Sequence, residues 1–434
     1  MNTIRKKTTT KIMALLLTLA LALSLGAPLS AFAAGSPITG NEQSPAQASL
    51  TKVLKLPEGT TTPATTFEFT FTPVSVDGDT TIAGTAPAIS SDNKIAIGYN
   101  SADTAAASNG IISIPKETSI FSGVTFPHAG VYTYKVVENP NTYAIADASK
   151  EQMTYSQAEY EITAYVKEKS TDSSQLYIAA IATTITKNED GTTGSGDKVD
   201  PTPGGGTGGS YSALAFTNNY TKTGGGGGTD PTDPTNPLNS TLSISKAVRG
   251  EYASKTFYFP FSISLSAPST LTTIPAFYRA YVVEDNDTIV TSSSNADPSL
   301  LAVDAGGPYI KVSTSAPTAV NLKHDQKLVF LDTPVGTCYT ATEPGTAGYT
   351  PKVDIVTNEG NPVEKSATTG QSLATGAQLV GEKTNSADFL NTRADVSPTG
   401  IFIENLPYIV LIALALALLA GFVAIRVRRS RSNN

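Results

Sequence analysis

The sequence predicts an all-β protein of two tandem β-sandwich domains, preceded by a signal peptide and followed by one transmembrane helix. Three observations carry that reading. Between residues 48 and 393, apolar and polar residues alternate in short runs rich in Thr, Val, Ile, Tyr and Phe, the period and composition of half-buried strands. A stretch rich in Gly and Pro, 223–238, divides those runs into two groups, each the size of one domain. The long apolar runs of this 434-residue chain lie at its two ends, outside the strands.

Residues 1–33 begin with Arg5, Lys6, Lys7 and Lys11, continue through "IMALLLTLALALSLG" and close on "AFA". A basic start, an apolar middle and a small-residue end make a secretory signal peptide, with cleavage expected near Ala33. No cysteine follows the apolar run, which argues against a lipoprotein anchor. Residues 34–47 are small and polar and read as a flexible N-terminal segment. The first domain, 48–222, runs from "ASLTKVLKL" through "TFEFTFTPV", "GVYTYKVVE", "AEYEITAYVKE" and "LYIAAIATTITK" to "LAFTNNY". Before its last strand, "NEDGTTGSGDKVDPTPGGGTGGSYS" reads as a long flexible hairpin loop. The linker 223–238 is flexible in its glycine part and extended in its proline part.

The second domain, 239–393, has "STLSISKAV", "KTFYFPFSISL", "KLVFLD", "CYTATEP" and "DFLNTR" as its strands. Residues 394–405 are a short motif and spacer. Residues 406–425 are long and apolar enough to span a bilayer. Arg426, Arg428, Arg429 and Arg431 in the tail 426–434 put that end in the cytoplasm.

Composition excludes several functions. The exported part, 34–400, keeps 22 Lys and Arg against 36 Asp and Glu, a net charge of −14, which repels nucleic acid. Cys338 is the single cysteine, so no internal disulfide is available; it reads as a small buried side chain. His128 and His324 are the two histidines, too few for the usual zinc or nucleophile constellations. "VDGDT" (Asp77, Asp79) and "EDNDT" (Asp285, Asp287) lack the spacing and closing glutamate of a calcium loop. "GGGTGG" and "GGGGG" lack the lysine of a phosphate loop. No metal or cofactor is expected.

One pattern does carry chemistry. In "LTKVL", Leu50, Lys52 and Leu54 share a strand face; in "LSISKAV", Leu242, Ile244, Lys246 and Val248 do. In "YTYKVVE", Tyr132, Tyr134, Val136 and Glu138 align, as do Tyr339, Ala341 and Glu343 in "YTATE". The last strands place Asn218 with Leu214, Phe216 and Tyr220, and Asn391 two residues after Phe389. Lys55 and Asn219 are the rivals of Lys52 and Asn218, and both fall on the opposite face. A lysine, a glutamate and an asparagine thus recur in the same order on apolar faces of both domains.

Burial makes such a lysine a neutral, nucleophilic amine and such a glutamate a protonated acid. The acid would hydrogen-bond the asparagine carbonyl and pass protons to departing ammonia, leaving a Lys–Asn isopeptide bond. The plainer alternative is a buried Lys–Glu ion pair with a hydrogen-bonded asparagine.

These residues carry a resemblance. "LTKVL", "TFEFTFTP", "FPHAGVYTYKVVE", "MTYSQAEYEITAYV" and "FTNNYTK", spread over residues 48–222, resemble the streptococcal pilin isopeptide-linkage domain of T-antigen-like backbone pilins. The resemblance implies an immunoglobulin-like sandwich in which Lys52 is bonded to Asn218 with Glu138 as catalyst. The second domain looks like the collagen-adhesin B-type domains of Gram-positive surface proteins, through "LSISKAVRG", "NLKHDQKLVFLDTPVGTCYTATE" and "DFLNTR". There Lys246, Asn391 and Glu343 would hold the same roles.

"VSPTG" followed by a spacer, a span and arginines resembles a sortase sorting signal. Thr399 and Gly400 match its cleavage pair, while Val396 and Ser397 depart from the usual Leu-Pro. The expected function is a cell-surface structural protein, a pilin subunit or stalk-like adhesin, with no turnover beyond one bond per domain. Its partners would be sortase, then peptidoglycan or neighbouring pilin subunits, with a host or matrix ligand as a further candidate. Lys187 and Lys198 are candidate acceptors for the next subunit. The alternatives are a ligand-binding adhesin held permanently by its single span, and a secreted hydrolase, for which no separate acid–base pair or nucleophile is present.

Overall fold

The computed structural model describes residues 37–148, 150–205, 211–225, 232–394 and 406–431. The signal peptide and the "VSPTG" motif, with Thr399 and Gly400, lie outside them. The first unit contains β1 (Ile38–Thr39), β2 (Ser49–Pro57), β3 (Thr65–Val76), β4 (Lys94–Tyr99), β5 (Ala107–Ser108) and β6 (Ile111–Ser119). It continues with β7 (Gly130–Glu138), β8 (Glu151–Thr154), β9 (Glu159–Lys169), β10 (Asp172–Lys187) and β11 (Ala215–Lys222). They form two sheets, ordered β1-β10-β9-β7-β3-β4 and β5-β6-β2-β11-β8. The alternating side chains of both sheets meet in one core that includes Phe67, Phe69, Tyr132, Tyr134, Ile162 and Phe216.

The second unit repeats the plan. Its strands are β12 (Leu242–Arg249), β13 (Phe259–Ser266), β14 (Phe277–Glu284), β15 (Leu301–Asp304), β16 (Gly307–Ser313), β17 (Thr318–Leu322) and β18 (Gln326–Phe330). Then come β19 (Cys338–Glu343), β20 (Tyr349–Val356), β21 (Val363–Ser366), β22 (Leu373–Ala374), β23 (Gln378–Leu379) and β24 (Ser386–Arg393). One sheet is ordered β15-β16-β14-β18-β12-β24-β20-β21 and the other β17-β13-β19-β22, with β23 beside β19. Ile244, Phe259, Phe261, Leu328, Tyr339 and Phe389 lie in the core between them.

One pairing matters most for the site. Most neighbours are antiparallel, but the first long strand of each unit pairs in parallel with the last. In β2–β11, Lys52 stands opposite Phe216, so Asn218 lies two residues further on. In β12–β24, Lys246 stands opposite Phe389, and Asn391 again lies two residues further on. Two residues is one step along the same face of a strand. The offset therefore aims each asparagine into the layer its lysine enters.

Two expectations are corrected. Residues 37–47 are not a loose segment. Ile38 and Thr39 pair with Ile181 and Ala180 on β10, the Ala46 amide donates to the Ile178 carbonyl at 2.8 Å, and Ala46 is buried. A small-residue segment is held here by backbone bonds that composition does not reveal. The first glycines of the linker are also held. The Gly224 amide donates to the Thr333 carbonyl at 3.1 Å and the Gly225 amide to the Glu382 carbonyl at 2.9 Å. Gly225 has φ of 66°, and a Cβ there would meet the Ser240 carbonyl oxygen at 2.3 Å, so the position requires glycine.

The two units touch across this junction. The Thr61 amide and hydroxyl both donate to the Glu382 carboxylate at 2.9 Å, and the Val335 amide donates to the Lys222 carbonyl at 2.8 Å. At the other end, α1 (Leu406–Arg431) is long and apolar enough to cross a membrane, with mean hydropathy 2.8 over its best window.

Candidate functional site

Each core encloses a lysine, a glutamate and an asparagine. In the first, Lys52 from β2 is fully buried and its Nζ donates to Glu138 Oε2 at 2.7 Å across the sandwich. Glu138 ends β7, opposite Phe69 of β3, on the other sheet. Asn218 of β11 is also fully buried, and its Nδ2 donates to Glu138 Oε1 at 2.6 Å. One carboxylate thus bridges the amine and the amide, one oxygen to each. The sequence rivals lie elsewhere: Lys55 and Asn219 are half-buried on the opposite faces of their strands.

The second core reproduces the arrangement. Lys246 Nζ lies 2.8 Å from both oxygens of Glu343, and Asn391 Nδ2 donates to Glu343 Oε1 at 2.5 Å. All three residues are buried. Aromatic rings cover both ammonium groups: Lys52 Nζ is 4.6 Å from the centre of the Phe67 ring, and Lys246 Nζ is 4.5 Å from that of Phe259. Phe69 packs on Phe216 at 5.0 Å and Phe261 on Phe389 at 5.1 Å.

This environment sets the protonation. Burial pushes Lys52 down to about 8, against the raising effect of Glu138. Lys246 is likewise pushed down to about 8 by burial, with Glu343 opposing. Burial raises Glu138 and Glu343 above the ordinary carboxylate range, with the lysines and the asparagine amides pulling the other way. Burial thus shifts the balance of each pair away from ammonium and carboxylate toward amine and acid.

One detail differs from the sequence expectation. Glutamate contacts the asparagine nitrogen in both domains, not its carbonyl oxygen. In the first domain the oxygen is taken by the Ser156 backbone amide, which donates to Asn218 Oδ1 at 2.7 Å. Ser156 follows β8, whose pairing with β11 brings Thr154 opposite Asn219. Sequence reading missed Ser156, because a backbone donor leaves no trace in side-chain type. It also missed Glu189, which lies in the "NED" of the expected flexible loop. Glu189 Oε1 accepts from the Thr217 amide at 2.9 Å. Its pKa is raised, chiefly because protein crowds the carboxylate end, although the residue as a whole is exposed.

The remaining candidates stand apart from the trios. Cys338 is half-buried, not fully buried, and burial raises its thiol pKa. His128 is exposed beside Tyr132, and His324 accepts from the Val248 amide at 3.3 Å. Lys187 is half-exposed beside Glu159 at 3.7 Å, and Lys198 is exposed. Asp77 accepts from the Val131 amide and Asp79 from Thr81, as turn-forming residues do. No group of three metal-ligating side chains occurs among the described residues.

With this geometry in view, comparison with known proteins is informative. Residues 48–221 match the profile of the Spy0128-like isopeptide containing domain. The first unit is thus similar to the Spy0128-like isopeptide containing domain over almost its whole length. Residues 240–393 match a domain of unknown function, DUF7601; that match does not reach the collagen-adhesin family that the second unit resembles by sequence. No curated protein matches the chain.

Among solved structures, the major pilin of Streptococcus pyogenes is 19% identical, with 80% of this chain and 99% of that one covered and a TM-score of 0.29. The T-13 major pilin of the same organism is 17% identical over 83% and 100%, with a TM-score of 0.29. The pilus-presented adhesin Spy0125 (Cpa) is 19% identical over 36% and 27%, with a TM-score of 0.21. At such scores these likenesses do not position the two units of this chain. The match of the Spy0128-like domain rests on the family profile and the trio inside it.

Proposed function

We propose that this chain is a structural protein of the Gram-positive cell surface, a pilus subunit or stalk-like adhesin. Each of its two sandwiches is locked by a self-made isopeptide bond, Lys52–Asn218 in the first and Lys246–Asn391 in the second. One observation carries the reading: a buried carboxylate bridging a buried amine and a buried amide, built twice with the same strand offset. A buried ion pair is a poor device for stability alone, since desolvation offsets most of its attraction. Joined to an electrophile, it is a reaction centre.

The chemistry follows from the contacts. Lys52 passes a proton to Glu138 Oε2 and becomes an amine. The amine lone pair attacks Asn218 Cγ, forming the Nζ–Cγ bond and moving the carbonyl π pair onto Oδ1. The new ammonium proton and the acid proton of Glu138 reach Nδ2 through Oε1 as the carbonyl re-forms. The Cγ–Nδ2 bond breaks and, having taken both protons, the nitrogen leaves as ammonium, so the chain is lighter by one ammonia. Lys246, Glu343 and Asn391 perform the same steps. Glu138 and Glu343 end as they began, and each centre acts once.

Anchoring is part of the proposal. Sortase would cleave between Thr399 and Gly400 and join Thr399 to peptidoglycan or to a lysine of the next subunit, with α1 holding the precursor in the membrane until then. Lys187 and Lys198 are candidate acceptors. The reading places the mature protein in the cell wall, with a host or matrix ligand as a possible further partner.

The test is the intact mass of residues 34–400, made recombinantly, beside Glu138→Ala, Glu343→Ala and the double variant. The expected result is a deficit of two ammonias in the parent, one in each single variant and none in the double. A parent mass equal to that of the sequence refutes the bonds. A ladder of bands from cell-wall extract in denaturing gels supports polymerisation, and a single band supports a monomeric adhesin.

A further inference from the structure

The two trios agree in nucleophile and carboxylate and differ at the carbonyl under attack. In the first domain the chain crosses from β8 in one sheet to β9 in the other, and within that crossing the Ala158 amide donates to Ser156 Oγ at 3.2 Å. The crossing presents the Ser156 backbone N–H to Asn218 Oδ1 at 2.7 Å in a buried setting. Glu189 braces the same segment. Its carboxylate accepts from the Thr217 amide at 2.9 Å, and its main-chain oxygen accepts from the Gln157 amide at 3.1 Å. In the second domain Asn391 Oδ1 is buried and meets no donor among the described residues.

We infer that the Ser156 backbone amide is the oxyanion donor of the first domain, with Glu189 as its positioning residue, and that the first crosslink closes well ahead of the second. The inference rests on the isopeptide reading and adds an order of events to it. When Lys52 Nζ bonds to Asn218 Cγ, negative charge collects on Oδ1. A donor already 2.7 Å away stabilises that charge without rearrangement. The same N–H fixes which end of the amide faces Glu138. With Oδ1 held at Ser156, the leaving Nδ2 stays 2.6 Å from the oxygen that must protonate it. Asn391 has the second of these contacts and lacks the first.

The test follows both bonds in one chain. The full chain is synthesised cell-free with detergent, samples are quenched in acidic denaturant over time, and the linear and crosslinked peptides of each trio are quantified. Loss of one oxyanion donor costs about 10²–10³ in rate, so the first bond should form about 10²-fold faster than the second. Ser156→Pro deletes the N–H and should slow the first bond by a similar factor, leaving the second bond's rate and the pH midpoints of the first unchanged. Glu189→Ala should also slow the first bond, and Glu189→Gln, which keeps the acceptor oxygen, should restore most of the rate.

Rates for the two bonds within about threefold of each other in the parent overturn the inference, as does a faster second bond. A Glu189→Gln chain as slow as Glu189→Ala removes Glu189 from it. The parent and the Glu189 pair decide the matter even where Ser156→Pro does not fold. Absence of both crosslinked peptides at all times overturns the isopeptide reading instead.

Discussion

Asn218→Ala removes the electrophile of the first domain and leaves the Lys52–Glu138 pair, 2.7 Å apart and buried, in place. No buried charge is stranded, so the loss reports mainly on the crosslink. The closed loop runs from residue 52 to residue 218, and the chain-entropy model gives a stabilisation of about 5 kcal/mol for a loop of that length. The amide also accepts the Ser156 N–H, and stranding that donor adds about 1–3 kcal/mol. For a domain of this size each kcal/mol moves Tm by about 2–4 °C, so the first domain should melt at least about 10–20 °C lower. Scanning calorimetry of residues 34–400, parent against variant, measures the shift, and Asn391→Ala provides the matching measurement for the second domain. A shift below about 10 °C, within the range of about 2–12 °C that the stranded Ser156 N–H explains alone, would show that no crosslink had contributed.

Three further outcomes are expected. The bond-forming rate should follow a bell in pH: below the raised Glu138 value the lysine stays charged, and above about 8 the pair has lost the proton the leaving group needs, which timed quenching and mass measurement would show. In the uncrosslinked Asn218→Ala, Asn391→Ala double variant, the unfolded lysines hold protons between about 8 and their ordinary value that the folded ones have released. Stability should therefore rise with pH across that window until the buried tyrosines, raised in the fold, reverse the trend near pH 10; urea titrations at stepped pH would check both signs. Glu382→Ala should change each domain's stability by less than about 1 kcal/mol, since its contacts with Thr61 are exposed, yet broaden the distribution of interdomain angles in small-angle scattering.

The trios were legible because strand alternation is a strict rule. A charged or amide side chain at an inward position stands out against Leu50 and Leu54 or Phe216 and Tyr220, and the rule separated Lys52 from Lys55 and Asn218 from Asn219. The two-sheet architecture followed from the same alternation and from the break at 223–238. What composition did not show was where backbone groups find partners. Residues 37–47 look like a stalk until β10 offers them an edge, and Gly224 and Gly225 look loose until Thr333 and Glu382 accept their amides. Ser156 and Glu189 escaped for a related reason. One acts through its main chain, and the other sits in a loop whose composition reads as disorder; both are brought to Asn218 by tertiary packing.

The parallel pairing of first strand with last has a consequence for a chain that is still incomplete. Lys52 appears early, but its partner is supplied by the final strand of the domain, and Asn391 stands in the same relation to Lys246. No incomplete domain holds both halves of its reaction centre. If each trio forms the proposed bond, sealing waits for the last strand to dock, and a chain that closes around the wrong strand meets no amide. On the proposed isopeptide chemistry, departed ammonia does not return, so each molecule would carry a lasting chemical record of which of its domains reached the native arrangement, legible as mass long after folding is over.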